Sequence, residues 1–550
     1  MSQLSKMRYS RDQWKDKAKQ RGQGERYERR EKARVKAQRD QLTHALKTSE
    51  ARVRELEARL EGLVTRPKVD VIHVALPLFL AARISLRAVS RVLALLAGAL
   101  GIRKAPCPQT ISNWVIRLTS VRLDAARTWR GLSLDQAPLS NGLIWLIDIS
   151  IGLGSGKILA VLALDAHHHQ LTSGAPTLRH VRCLGVAVAD AWTGETIAAL
   201  LQRLIAQMGR PAAYLTDNGS DLHKAATLLE EEGLGSPCLD DISHAAANML
   251  KRTYQTHPTF ETFLSICGRV SGKLKHTLLA CLAPPNVRTK ARFMNVHRLL
   301  TWADRVLQLS PSGGAKHGSI LAKLRAALDD LPSCKAFIKR FRGDAGALLA
   351  CQAIVKTQGL SPATRAQCQP LIDAIPTAAI RLEFCAYLEY QLETARTLGL
   401  DQVGLPISSD SIESLFGVGK RHGVGETPDA TRIALRLPAF CGVPTHEEAE
   451  QVLAVSVARQ HEFTAALTSL TQQRREVLGH PEYLESLSLK PHQPHVELIP
   501  SPKKCSTDDI SIQTLMDYEN LYGPQLTPPE EPLVIDNTAP PIFASTALTA

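Results

Sequence analysis

The chain has 550 residues, which at about 100–200 residues per domain implies several domains. Apolar residues make up 44% and charged residues 22%, a composition that buries a core and excludes disorder of the whole. The balance of 66 Lys+Arg against 53 Asp+Glu leaves +13, which fits a polyanionic partner.

That charge is unevenly placed. Residues 1–66 hold 19 Lys/Arg against 10 Asp/Glu, so most of the excess sits in a basic arm, read either as a nucleic-acid contact or as a solvated helix face. From Leu42 the arm becomes periodic. Leu42, Leu46, Ser49, Val53, Leu56, Leu60 and Leu63 alternate in steps of four and three, a heptad seam with one polar break. Such a seam pairs two chains, making a homo-oligomer, or folds back on its own chain. The segment Met1 to Lys17 has no apolar core of a secretory signal. The apolar stretches 71–82 and 92–102 are split by Arg83, Arg87 and Arg91, which disqualifies a membrane span. The eleven cysteines include no CxxC pair, which argues against a disulfide framework or a zinc knuckle and for a reducing compartment. The expected location is cytoplasmic, at the nucleoid.

Residues 71–130 read as a helical DNA-binding domain of the helix-turn-helix type. Ser85 to Leu93 begins one helix, Gly101 and Pro106 to Pro108 break the chain, and Gln109 to Leu118 begins a second. Its polar first turn, with Gln109, Ser112 and Asn113, and its Trp/Val/Leu inner face suit a recognition helix. A purely structural helical pair gives the same pattern.

Residues 140–245 change character. Gly142 to Ile149, Lys157 to Leu164 and residues 179–190 read as three strands, the first ending in Asp148. A helix over 194–208, a short strand at Tyr214 to Thr216 running into Asp217-Asn218-Gly219, a helix over 221–232 and a strand at Cys238 to Ile242 follow. The predicted order is β-β-β-α-β-α-β. Residues 246–405 lose the strand signal and read as an all-helical insertion. Residues 406–486 contain further helices, and Ser408 to Arg421 is one of them, with Ser409 or Asp410 as its cap. From 487 to 550 the chain is Pro-rich, with ten of the 31 prolines in the last 60 residues, and is expected to be disordered.

The fold class expected is therefore α/β, with a ribonuclease H-like mixed sheet, a helical insertion, an N-terminal coiled coil and a helix-turn-helix. Over residues 142–440 the strand-acid, Thr-Asp-Asn-Gly and Asp-Ser-Ile-Glu segments together resemble the DDE transposase superfamily, which includes retroviral-type integrases. The resemblance implies a catalytic and metal-binding triad of Asp148, Asp217 and Glu413, with the helical insertion standing before the Glu helix. In one group of such transposases a Lys follows the Glu by seven residues, as Lys420 follows Glu413 here. That group's Tyr and Arg upstream of the Glu read Pro406 and Ser409 in this chain.

The chemistry implied needs these groups. Hydrolysis of a phosphodiester requires an activated nucleophile and a stabilised leaving oxygen, which two Mg²⁺ ions about 3.5–4 Å apart supply, with Mn²⁺ as a substitute. Mg²⁺ prefers hard oxygen ligands, and three converging carboxylates without a cation repel one another. Lys420 and Arg421 are candidate phosphate contacts. The partner implied is double-stranded DNA, as element ends and target. The alternatives are a DNA-binding regulator on an inactive ribonuclease H-like core and another ribonuclease H-like nuclease. Other acids compete: Asp165, Asp190 and Asp240-Asp241 also end strands. Asp240, Asp241 and His244 read as a supporting or structural cluster, His167-His168-His169 as an exposed hairpin loop, and Trp302 as a core residue rather than a base-stacking one.

Overall fold

The structure, a computed structural model, describes residues 3–64, 68–102, 104–150, 156–286, 292–308, 314–421, 430–465, 479, 482 and 496–499. The chain divides into two compact units, residues 1–71 with 91–106 and residues 72–90 with 107–550.

The first unit holds α1 (Gln3–Val64), a single helix of 62 residues. None of its described side chains, which run from Ser5 to Arg54, is buried. Helices α2 (Lys68–Leu80) and α3 (Leu86–Leu95) each run across a boundary between the units.

The second unit is built on one mixed sheet. Its strands are β1 (Leu143–Ile149), β2 (Lys157–Asp165), β3 (Val181–Ala189), β4 (Ala213–Thr216), β5 (Cys238–Asp240) and β6 (Val496–Leu498), in the spatial order β5-β4-β1-β2-β3-β6. β1 pairs antiparallel with β2, and β2 with β3; β1 pairs parallel with β4, and β4 with β5. The central strands are covered on both faces, so they read as near-continuous aliphatic runs rather than alternating ones. Leu143, Trp145 and Ile147 of β1 join a core with Leu159, Val161 and Ala163 of β2. That core lies under α6 (Gly194–Met208) and α7 (Ser220–Glu231), the crossovers into β4 and β5. The alternate residues of β1, Ile144, Leu146 and Asp148, face the other side of the sheet.

Between β2 and β3 the chain makes one turn of helix, α5 (His168–Leu171). Composition predicts an exposed loop for the three-histidine tract, but the tract is folded in. His168 is buried, its Nε2 is 3.2 Å from the Gly174 carbonyl, and its ring lies 5.0 Å from those of His169 and His180. Burial, then the His168 charge, pushes His169 down to about 4. Aromatic rings at this spacing recover apolar contact that an exposed loop forgoes.

The described residues of 246–405 are mostly helical. After α8 (Ile242–Tyr254) come α9 (Pro258–Leu274), α10 (Arg292–Gln308), α11 (Ile320–Leu328), α12 (Lys335–Gln358), α13 (Pro362–Asp373) and α14 (Ala378–Leu398). Their core includes Phe260, Phe263, Phe341 and Phe384, all fully buried. Trp302 donates Nε1–H to the Leu282 carbonyl at 2.9 Å, which ties it into this block. Then follow α15 (Asp410–Arg421), α16 (Ala430–Ala434), α17 (His446–Ala454) and α18 (Val457–Ala465).

Two expectations change. The first concerns α4 (Pro108–Ala126), the helix whose sequence suits DNA recognition. It packs on β3, on residues 437–440 and on α17. Thr119 donates to the Leu435 carbonyl at 2.7 Å. Arg122 is buried and forks onto both carboxylate oxygens of Glu448 at 2.8 Å, while its remaining amine reaches the Ala439 and Cys441 carbonyls. The connection from α3 runs over residues 96–107, longer than the three or four residues of a helix-turn-helix turn. The second concerns the Pro-rich tail, in which Val496, Glu497 and Leu498 pair with Val188, Ala187 and Val186 of β3. A short apolar strand there closes an edge of amides that otherwise faces open pairing. The rest of the tail, and most of 466–486, lies outside the described residues. Among the described residues no helix is long and apolar enough to cross a membrane.

Candidate active site

Parallel pairing sets the first two acids side by side. Leu146 of β1 stands opposite Leu215 of β4, and two residues further along each chain come Asp148 and Asp217. Neighbouring strands lie about 4.8 Å apart, so the two carboxylates leave adjacent strand ends. Asp217 opens a tight turn. Its Oδ1 accepts from the Gly219 amide at 3.0 Å, and Asn218 takes the left-handed conformation at φ 60°, which Asn tolerates better than most residues.

Asp148 is half-buried, and its Oδ1 accepts from the Ile149 amide at 2.6 Å. Burial, then the Asp217 charge, pushes its carboxyl up to about 7; Glu413 adds to the rise and His244 opposes it. Two like charges at one strand end disfavour joint ionisation.

Glu413 comes from α15, 196 residues after Asp217 in the sequence. The helix docks its apolar face, Ile412, Leu415 and Phe416, all buried, and packs against β1. This is the face the sequence indicates. Its first turn begins with the Ile412 and Glu413 amides donating to the Ser409 carbonyl.

The structure adds a residue to this group. His244, on α8, donates from Nε2 to Oε1 of Glu413 at 3.1 Å. Burial opposes a charge on its ring, but the Glu413 bond and the charges of Asp241, Asp217 and Glu413 outweigh it and push His244 up to about 9. Asp241 holds both partners in place. It is 1% exposed and caps α8, its Oδ1 accepting from the His244 amide at 2.8 Å. Its Oδ2 accepts from the Ser409 amide at 2.7 Å. The Ile242 amide also reaches the Ile407 carbonyl at 3.1 Å. One carboxylate thus joins the end of β5 to the start of the Glu helix. From the helical block, Lys356 of α12 grips both oxygens of Asp410 at 2.7 and 2.8 Å.

In the sequence Asp241 and His244 form a cluster without a partner. The signal for their role is an Asp three residues before a His at a strand-to-helix junction, the spacing at which an N-cap carboxylate meets the amide of the third helical residue.

The protein-family models and curated proteins compared with this chain give no match.

The other candidate residues are dispersed. Lys420 and Arg421 are exposed at the far end of α15, and Arg421 turns back to the Gly417 carbonyl at 3.1 Å. Gln109 is exposed and donates to Asn113 Oδ1 at 3.0 Å. Ser112 is 6% exposed, on the packed face of α4, so its hydroxyl does not face a base edge. Asp165 is spent on its own turn, accepting from the His167 and Leu132 amides at 2.8 and 3.2 Å.

Among the described residues no three His, Cys, Asp or Glu side chains are gathered closely enough to hold a metal ion as they stand. The donor set nonetheless fits a hard divalent cation. Asp148 and Asp217 leave adjacent strand ends as hard oxygen donors, and burial, then the Asp217 charge, raises the Asp148 carboxyl, a burden that a cation between them relieves. Glu413 is engaged by His244 and lies beside them.

Proposed function

We propose that this chain is a DNA transposase of the DDE type. In this reading it binds element ends and catalyses metal-dependent strand cleavage and strand transfer on a ribonuclease H-like core. The observation that carries the proposal is the parallel pairing of β1 with β4, which sets Asp148 and Asp217 at adjacent strand ends, with Glu413, 265 positions after Asp148, near enough for its charge to raise the Asp148 carboxyl. The strand order β5-β4-β1-β2-β3, with two antiparallel and two parallel pairings, supports the ribonuclease H-like reading.

Asp148 and Asp217 would hold a divalent ion between adjacent strand ends, and Glu413 would complete the set for a second. Bound there, Mg²⁺ supplies Lewis acidity to the phosphodiester and makes an attacking water or 3′-hydroxyl easier to deprotonate. The remaining work belongs to the chain. Asp241 fixes the register of the Glu helix against β5. His244 holds a proton against Glu413, which keeps the carboxylate oriented. Lys420 and Arg421, exposed on the same helix, meet backbone phosphates. Of the residues at the start of α4, Gln109 and Asn113 remain available to DNA.

The test is nicking of a labelled linear duplex carrying the element's own ends, in Mg²⁺ or Mn²⁺. Asp148→Asn, Asp217→Asn and Glu413→Gln each keep volume and remove a charge. Each variant is expected to fold, to bind the ends and to cut at background. A parent protein that binds its ends and never cuts them with either metal leaves the regulator reading in place.

A further inference from the structure

We propose that residues 35–64 of α1 pair with the same residues of a second copy of this chain in a parallel, in-register two-stranded coiled coil. The inference is independent of the transposase reading, since it concerns the helix and not the carboxylates.

α1 is helical from Gln3 to Val64, yet no described side chain on it is buried. Leu42, Leu46 and Val53 are 71, 58 and 51% exposed, and Val35, one heptad before Leu42, is 58% exposed. Placing Leu42 at position d puts Val35, Ser49, Leu56 and Leu63 at d, and Arg39, Leu46, Val53 and Leu60 at a. The apolar stripe is narrow, the width of a coiled-coil seam rather than of a helix lying on a globular core.

The flanking charges choose the orientation. Arg52 and Arg59 fall at g; Glu50 and Glu57 fall at e. In a parallel pair a g residue meets the e residue of the partner's next heptad, so Arg52 faces Glu57 twice by symmetry. An antiparallel pair matches g with g and e with e, and a centre between Ser49 and Val53 sets Arg52 against Arg52 and Glu50 against Glu50. The polar breaks choose the register. In register, Ser49 meets only Ser49 and Arg39 only Arg39. A slip of one heptad sets Ser49 against both Leu42 and Leu56 and Arg39 against Leu46, raising the damaged layers from two to three. The basic stretch before residue 35 then leaves both chains at the same end of the coil.

The experiment uses the full chain. Sedimentation equilibrium is expected to give twice the 60.1 kDa chain mass, and Leu46→Asp with Val53→Asp is expected to halve it. Arg52→Glu is expected to weaken the dimer about tenfold, and Arg52→Glu with Glu57→Arg to restore it. Leu42→Cys and Leu60→Cys, which face each other in the antiparallel alternative, are oxidised separately and mapped by peptide mass against the parent, and each is expected to link to its own counterpart. A monomeric parent, or a seam variant that stays dimeric, overturns the pairing. A cross-link that forms only when the two cysteine variants are mixed overturns the parallel orientation.

Discussion

His244 donates to Glu413 at 3.1 Å, joining residues 169 positions apart across the junction of sheet and helical block. The bond sets an ionisable ring against one of the candidate carboxylates, and its behaviour with pH is defined. A histidine raised to about 9 on folding contributes stability that is complete below its ordinary range near 6.5. That contribution is lost as pH rises through 9. His244→Gln is therefore expected to lower the melting temperature at pH 6 and to converge on the parent by pH 10. A constant offset across that range excludes the ion pair.

Asp148 follows the same sign in a lower pH window. Its carboxyl is raised to about 7, so the folded state favours the protonated form, and stability falls as pH climbs from about 4 to 7. In metal-free protein the Asp148 carboxyl carbon, followed by NMR, is expected to titrate near neutrality. Asp217→Asn removes the neighbouring charge and is expected to bring that midpoint down. An unchanged midpoint assigns the whole shift to burial and breaks the pairing of the two acids.

Asp241 is expected to matter more for position than for chemistry. Asp241→Ala strips the acceptor from the buried Ser409 amide, at a cost of about 1–3 kcal/mol, and from the half-buried His244 amide, at a smaller cost. Asp241→Asn keeps one acceptor oxygen and is expected to recover part of that loss in chemical denaturation. The control is Asp165→Asn, whose carboxylate serves only its own turn and the Leu132 amide, and which is expected to leave cleavage measurable. Equal loss of cleavage in both variants removes the special standing of Asp241.

Arg122 tests whether α4 is part of the core. Breaking its buried pair with Glu448 leaves an uncompensated charge, at a cost of about 3–5 kcal/mol. Arg122→Ala is therefore expected to lower the midpoint of unfolding of the sheet itself, read from amide hydrogen exchange of β1 to β3. If only a separate early transition moves, α4 belongs to an independent domain.

Deleting residues 1–66 is expected to flatten the dependence of DNA affinity on salt. For duplex DNA, every phosphate that the arm no longer neutralises makes the slope of log K against log salt shallower by about 0.9. An unchanged slope leaves the basic arm without a role on DNA.

Strands β1 to β3 are legible in the sequence because each combines an aliphatic run with a clear stop, whereas β6 lies in a tail whose composition reads as disordered. β1, for example, ends at the acid that the residues themselves point to. The docking face of the Glu helix is legible for the same reason, with Ile412, Leu415 and Phe416 at helical spacing. α4 misleads because its polar first turn, Gln109, Ser112 and Asn113, is the signal the sequence offers, while Ser112 is packed and the contacts of Thr119 and Arg122 that tie the helix into the core leave no trace in the sequence. His244 cannot be matched to Glu413 from sequence, since a pair across 169 residues leaves no periodic trace. The histidine tract looks exposed on composition, but the aromatic packing of His168 on His169 and His180 is a tertiary fact.

The helical block leaves the sheet after Asp241 and returns at Ile407, and at that point the Ile242 amide meets the Ile407 carbonyl at 3.1 Å. Its entrance and exit are thus a single doorway. The sheet has no means of sensing how much polypeptide lies beyond it, so long as the doorway keeps its width. A change in the length or content of the block is therefore expected to leave the sheet in place, provided the doorway itself is kept. The constraint that remains is local, on Asp241, Ser409 and the grip of Lys356 on Asp410.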